Sequence, residues 1–281
     1  MKLMRMGPKG AEKPAMMDED GKIRDLSAHV SDIDGSVLGS DGLAKLGGID
    51  PASLPEVAAG TRIGACVGNV RNVICVGLNY TDHAIETGNP IPTEPVLFSK
   101  AVTALTGPND DVEKPRGSTM LDWEIELAIV IGKRAKYVSE ADAMGYVAGF
   151  ACFNDVSERE FQTKRPGGQW LKGKSHETFG PLGPWLATKD EIADPNNIGM
   201  ELKVNGQTMQ KGSTQTFIFQ VQTVVSHISQ YLTLKPGDVI PTGTPPGVGA
   251  GMNPQVFLNA GDVMELSMDG LGSQRQTVVS A

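Results

Sequence analysis

A β-rich α+β fold with a small N-terminal α/β appendage is what three features of the sequence predict. Strand-like segments dominate from residue 72 onward, and two hairpin-type dipeptides, Asn205-Gly206 and Asp269-Gly270, separate pairs of them. Clean helical periodicity is confined to one stretch late in the chain. Residues 1–70 read as a separate unit of short strands joined by turns. Ala15–Met17 and Lys22–Arg24 flank the turn Asp20-Gly21, and a Gly- and Pro-punctuated stretch runs from Gly35 to Gly60. Asn72-Val-Ile-Cys-Val-Gly77 is a buried-strand pattern that opens a larger domain over residues 71–281. Within it Glu124–Val130 alternates, and Val147–Asp155 is apolar and aromatic with a period of two. Leu202–Met209 folds about Asn205-Gly206, while Asp262–Met268 and Gln274–Val279 flank Asp269-Gly270. The helix is read from Ile218, Val221, Val225, Ile228 and Tyr231 or Leu232, and it ends before Lys235-Pro236-Gly237. There is no internal repeat and no low-complexity segment.

Composition narrows the function class. With 281 residues, 40% of them hydrophobic, the chain can bury a sizeable core. A net charge of −8 and an isoelectric point near 5.1 argue against nucleic acid, which demands a basic face. Met1–Pro14 lacks the apolar core of a signal peptide, and no apolar run approaches membrane-spanning length. Cys66, Cys75 and Cys152 have no C-x-x-C spacing, so they read as reduced, buried thiols of a cytoplasmic protein.

The most informative segment is Asp122-Trp-Glu-Ile-Glu-Leu-Ala-Ile-Val-Ile131. On a strand Asp122, Glu124 and Glu126 point one way, while Trp123, Ile125, Leu127 and Ile129 enter a core. Glu124 and Glu126 would sit roughly 7 Å apart along that face, at about 3.3 Å of rise per residue. Like charges held in apolar surroundings call for a cation, and a hard divalent ion takes carboxylate oxygens. Asp155, closing the next apolar strand, offers a third ligand at a sheet rim. Taken alone, the pattern also allows a solvated acidic strand face.

Glu124-x-Glu126, followed about thirty residues on by Asn154-Asp155-Val-Ser-Glu-Arg159, resembles the metal signature of the fumarylacetoacetate hydrolase family. Further blocks agree in order: Val76-Gly-Leu-Asn-Tyr80-x-x-His83-x-x-Glu86, Lys172-Gly-Lys174-Ser, Phe179-Gly-Pro-Leu-Gly-Pro-Trp185 and Thr242-Gly-Thr-Pro-Pro-Gly-Val-Gly249. The resemblance covers residues 72 to about 275. It implies a mixed β-roll, commonly dimeric, in which Glu124, Glu126 and Asp155 bind Mg²⁺ or Mn²⁺. It also implies that His83 and Glu86 form a general-base pair on a lid, and their spacing puts both on one side of a helical turn. Arg159, Gln162 and Thr244 match substrate-facing positions, and Lys174 matches the family's active-site lysine. Founding members carry a further Asp ligand where this chain has Val76, so the resemblance points to the shorter bacterial branch.

What the resemblance implies chemically is hydrolysis of a 2,4-dioxo acid, with a 2,4-diketo-3-deoxy sugar acid such as the L-rhamnonate derivative as the specific expectation. That substrate would yield pyruvate and lactate. Oxaloacetate decarboxylation, 2-oxo-heptenedioate isomerisation and ureidoglycolate cleavage draw on the same chemistry, and a non-catalytic metal-stabilised binding protein is a reading of another class. One motif misleads. Gly168-x-x-x-x-Gly173-Lys174-Ser175 satisfies the P-loop pattern, but polar residues precede it and Gly and Pro follow it, so neither the required strand nor the helix can form.

Overall fold

The computed structural model describes residues 1–39, 41–86 and 90–281, apart from the side chains of His83 and Ala84. A strand that is apolar on both faces has to be covered on both, and Ile125–Ile131 and Val147–Asn154 meet that demand, since every residue of each is buried. The two pair antiparallel, with Phe150 opposite Ile129 and Cys152 opposite Leu127. They lie at the centre of a nine-stranded sheet. In order, its strands are Ile23–Asp25, Lys13–Met17, Lys2–Met6, Leu186–Thr188, Val147–Asn154, Ile125–Ile131, Val239–Pro241, Val73–Gly77 and Val96–Lys100. Val239–Pro241 runs parallel to Val73–Gly77, and the other neighbours are antiparallel. The first three strands of the chain thus extend the same sheet as the later ones, joined through Leu3 opposite Leu186.

A second sheet of five strands is built from the two hairpins that the sequence marks. Gly199–Val204 and Gln207–Ser213 pair around Asn205-Gly206, with φ of 51° and 80° at the two turn residues. Both are left-handed, as a tight two-residue turn requires. Val263–Met268 and Gly272–Ser280 form the other hairpin, and Val112–Lys114 adds in parallel to its outer edge.

The alternation of the central strand sorts its side chains into two cores. Ile125, Leu127, Ile129 and Ile131 join a cluster with Phe150, Leu202, Leu266 and Ile228, which ties the large sheet to the small one and to the helix Val221–Tyr231. Ala128 and Val130 face the other way, into a cluster with Leu3, Leu26, Phe153 and Leu186. Glu126 and Glu124 begin that second face before it becomes apolar. Leu127→Ala should therefore lower the unfolding free energy by about 2–5 kcal/mol, as read from a denaturant titration. The three cysteines are free and buried, and burial pushes the thiols of Cys66 and Cys152 up to about 12. Among the described residues no helix is long and apolar enough to cross a membrane.

Candidate functional site

Two antiparallel strands deliver the three acids to one point. Glu126 projects from the start of the central strand and Glu124 immediately precedes that strand. Asp155 follows the last residue of its partner, where its amide donates to the Glu124 carbonyl at 2.8 Å. Side-chain convergence closes the spacing along the backbone, and one oxygen of each carboxylate lies within 4.8 Å of the others. A solvated acidic face is excluded by burial, because Glu124, Glu126 and Asp155 are 6%, 2% and 0% exposed. Asp122 departs from the expected alternation. The strand Leu121–Asp122 breaks at Trp123 and Glu124 before Ile125–Ile131 begins, and Asp122 accepts from the amides of Gly249 and Ala250 at 2.7 and 3.0 Å.

Cations are interleaved with the acids. Lys174 Nζ bridges Glu124 Oε2 at 2.6 Å and Asp155 Oδ2 at 2.8 Å, and it sits 5.1 Å from the centre of the Phe98 ring. Arg159 reaches Glu124 Oε1 with Nη1 at 2.7 Å and Asp122 Oδ2 with Nε at 2.8 Å. Lys100 Nζ lies 2.7 Å from Asp155 Oδ1. These pairings split the two glutamates. Burial pushes Glu124 upward, but Arg159 and Lys174 outweigh it and hold the carboxyl at about 2. Glu126 accepts from the Gly243 amide at 2.9 Å. Its burial and the negative charges of Asp155 and Glu124 raise it well above the ordinary carboxylate range.

A divalent cation fits this donor set. The ligands are hard oxygens, and four buried carboxylates, Asp122 included, face three cationic side chains. Glu126 is the carboxylate whose charge the protein compensates least. Glu124, Glu126 and Asp155 would hold the ion. Because burial and its acidic neighbours raise the Glu126 carboxyl in the metal-free protein, and a ligand carboxyl must be ionised, ion binding should release protons wherever Glu126 is still protonated. Affinity should then fall as pH falls through the raised Glu126 titration. Calorimetric titration with Mn²⁺ in buffers of different ionisation enthalpy counts those protons.

A cavity of about 560 Å³ opens beside the acids, lined by Glu124, Glu126, Arg159, Gln162, Lys174 and Thr244 among others. Arg159 precedes the helical turn Glu160–Lys164, which carries Gln162, and Arg159 Nη1 donates to Gln162 Oε1 at 3.1 Å. Arg159 Nη2 is buried and has no hydrogen-bond partner. The Thr244 hydroxyl donates to the Ile125 carbonyl and accepts from Gln210 Nε2, each at 2.8 Å. Phe98 and Trp170, with ring centres 5.0 Å apart, form an aromatic wall. Val76, at the position of the further Asp ligand, is a buried apolar residue of that lining.

At the rim, the short helix Thr81–Glu86 is anchored at its root by Asn79, which donates to the carbonyls of Phe219 and Thr242 and accepts from the Phe219 amide. The Glu86 carboxylate accepts from the Gly247 amide at 3.0 Å. The His83 side chain, the other half of the expected base pair, lies outside the described residues. The P-loop lookalike is a four-residue helix, Leu171–Lys174, preceded by a helical turn instead of a strand. Sequence reasoning missed Lys100, Asp122 as the anchor of Arg159, and Gln210. The one signal for Lys100 was a lysine closing the apolar strand Val96–Lys100.

Comparison with known proteins accounts for this arrangement. The model of the fumarylacetoacetate (FAA) hydrolase C-terminal family matches residues 72–279. A protein of Burkholderia lata, provisionally named a hydrolase, is 54% identical over 98% of both chains. Among solved structures, fumarylacetoacetate hydrolase from Exiguobacterium antarcticum superposes with a TM-score of 0.87 at 34% identity, covering 100% of both chains. Maleylpyruvate hydrolase from Sphingobium sp. SYK-6, solved with manganese(II) and pyruvate, gives 0.83 at 28% identity, again over 100% of both. The 2-hydroxyhepta-2,4-diene-1,7-dioate isomerase from Mycobacterium marinum gives 0.74 at 32% identity, over 100% of this chain and 98% of that one. The β-rich architecture and the ordered sequence blocks therefore have one explanation: the chain belongs to the fumarylacetoacetate hydrolase family.

Proposed function

We propose that the protein is a Mg²⁺- or Mn²⁺-dependent hydrolase that cleaves a carbon–carbon bond in a 2,4-dioxo acid, releasing pyruvate and a second carboxylic acid. The observation that carries this reading is the meeting, at one cavity, of three buried carboxylates, the Lys174 ammonium and an arginine with an unengaged Nη2. A divalent ion held by Glu124, Glu126 and Asp155 supplies Lewis-acid polarisation of the 2-oxo group. Arg159 and Gln162 bind the anionic end of the substrate, with the Thr244 loop against its carboxylate. His83, oriented by Glu86, takes a proton from water as the water oxygen adds to C4. The C3–C4 bond then breaks with its electron pair on C3, giving the pyruvate enolate, whose charge Lys174 stabilises. The proton held by His83 returns to C3.

The specific substrate proposed is 2,4-diketo-3-deoxy-L-rhamnonate, cleaved to pyruvate and lactate. The polar side of the cavity, with Gln162, Thr163 and Gln255, suits a hydroxylated substituent. The same reading includes a cytoplasmic homodimer. The Mycobacterium marinum relative favours a second reading, isomerisation of a 2-oxo-heptenedioate, and oxaloacetate decarboxylation or ureidoglycolate cleavage would draw on the same groups. The deciding experiment assays EDTA-treated protein, with and without Mg²⁺ or Mn²⁺, on 2,4-dioxo acids, oxaloacetate and a 2-oxo-heptenedioate. Metal-dependent pyruvate plus a second acid supports the hydrolase. Carbon dioxide from oxaloacetate alone, or a shifted double bond without cleavage, replaces it. Metal binding without turnover of any of these points to a non-catalytic metal-stabilised protein.

A further inference from the structure

Arg159 meets the cavity in a fixed orientation, and the residue that fixes it is Asp122. A guanidinium is planar, so anchoring two of its nitrogens sets where the third presents its protons. Nε is held by Asp122 Oδ2 at 2.8 Å, and Nη1 by Glu124 Oε1 at 2.7 Å and Gln162 Oε1 at 3.1 Å. Nη2 is left as an unengaged buried donor on a residue that lines the cavity. Asp122 is itself fully buried and anchored by backbone: Oδ1 accepts from the amides of Trp123 and Gly249 at 2.9 and 2.7 Å, and Oδ2 from Ala250 at 3.0 Å. Only glycine lets that loop come so close. A Cβ at Gly249 would lie 1.9 Å from the Val256 carbonyl and 2.9 Å from Asp122 Oδ1. The same loop carries Gly247, whose amide donates to Glu86 of the rim helix.

We infer that Asp122 is a positioning residue for substrate recognition: it ties the Gly247–Ala250 loop to Arg159 and so aims Arg159 Nη2 at the anionic end of a 2-oxo acid. The inference rests on the proposed use of Arg159 as an anion receptor. Asp122 makes no contact with substrate; its influence travels through the guanidinium. An amide at this position keeps the shape but turns one acceptor into a donor, which repels either Arg159 Nε and the Ala250 amide or, turned over, the amides of Trp123 and Gly249, and so breaks the tie between loop and guanidinium.

The test measures binding of oxalate, a planar mimic of a 2-oxo acid enolate, to the Mn²⁺-loaded protein by calorimetry, and so does not depend on turnover. Asp122→Asn should weaken oxalate binding by about 10–100-fold, the range found for partners that orient a functional group. Its Mn²⁺ affinity should stay within about threefold, since Glu124, Glu126 and Asp155 are untouched. Arg159→Lys should show a similar loss, and the double variant should be no weaker than Arg159→Lys alone, because the two residues act as one unit. Undiminished oxalate binding by Asp122→Asn overturns the inference, as does an equal further loss on the Arg159→Lys background, which would mark a role confined to loop structure. If Asp122→Asn does not fold, Arg159→Lys decides alone: wild-type oxalate affinity there sinks the inference. Oxalate and pyruvate failing to bind the wild-type protein would instead overturn the proposed function on which it stands.

Discussion

Under the proposed function, Lys174→Met is expected to lower metal-supported pyruvate release by about 10²–10³-fold, the loss typical of removing one group that stabilises developing negative charge. Its affinity for Mn²⁺ should be equal to or higher than that of the wild type. The two effects separate because of where the ammonium sits. Lys174 Nζ lies between Glu124 and Asp155, within hydrogen-bond distance of both, so it occupies part of the electrostatic role that a divalent ion would fill. Removing one positive charge from beside the ligands lessens its repulsion of an incoming cation. The carboxylates do not collapse apart, because Arg159 still pairs with Glu124 and Lys100 with Asp155. Calorimetric Mn²⁺ titration set beside steady-state pyruvate release checks the prediction. Metal affinity falling in step with activity would assign Lys174 to ligand placement instead of charge stabilisation.

How far the site could be read from sequence follows from how its parts are spaced along the chain. Glu124 and Glu126 sit two residues apart on a strand, and Arg159 and Gln162 three apart around a helical turn, so local periodicity places each pair on one side. The hairpins at Asn205-Gly206 and Asp269-Gly270 were legible for the same reason, since a tight turn, of two residues in the first and three in the second, is specified by the residues that make it. Asp155 is thirty-one positions from Glu124 and becomes its neighbour only through the antiparallel pairing that sets Asn154 opposite Ile125. Its place at the end of an apolar strand could suggest it, and the ordered family blocks strengthened that expectation. Lys100 has only its place at the end of the apolar strand Val96–Lys100, and Gln210 carries no such signal. Gln210 lies on the hairpin strand Gln207–Ser213, yet its amide spans from Ile125 to Thr244 and Pro245, a link made by packing one sheet on another. The part played by Asp122 was missed for a related reason. Alternation assumes an unbroken strand, and the chain leaves regular pairing at Trp123 and Glu124 to reach the Gly249–Ala250 amides. Two N-terminal strands, near Ala15–Met17 and Lys22–Arg24, were visible as strands, but Lys2–Met6, which pairs with Leu186–Thr188 far along the chain, was not.

Lys100→Met should destabilise the metal-free protein by about 3–5 kcal/mol, the range for removing one partner of a buried ion pair. The Lys100 side chain is wholly enclosed. Its Nζ donates to the carbonyls of Phe179 at 2.9 Å, Val156 at 3.2 Å and Lys174, and its charge lies 2.7 Å from Asp155 Oδ1. Burial works against its charge and lowers the Lys100 pKa, while Asp155 opposes that fall. Methionine fills much of the same volume but leaves a carboxylate oxygen uncompensated and the carbonyls without their donor. Scanning calorimetry in EDTA should show a melting temperature lower by roughly 10 °C, at about 2–4 °C per kcal/mol for a chain near this size. A second substitution, Asp155→Asn, should recover part of the loss by removing the stranded charge. Adding Mn²⁺ should raise the melting temperature of Lys100→Met by more than it raises that of the wild type, because the ion supplies the positive charge that Asp155 has lost. Equal shifts in the two proteins would mean that Asp155 is not a ligand, and that Lys100 serves only to join the strand Val96–Lys100 to the segments around Val156, Lys174 and Phe179.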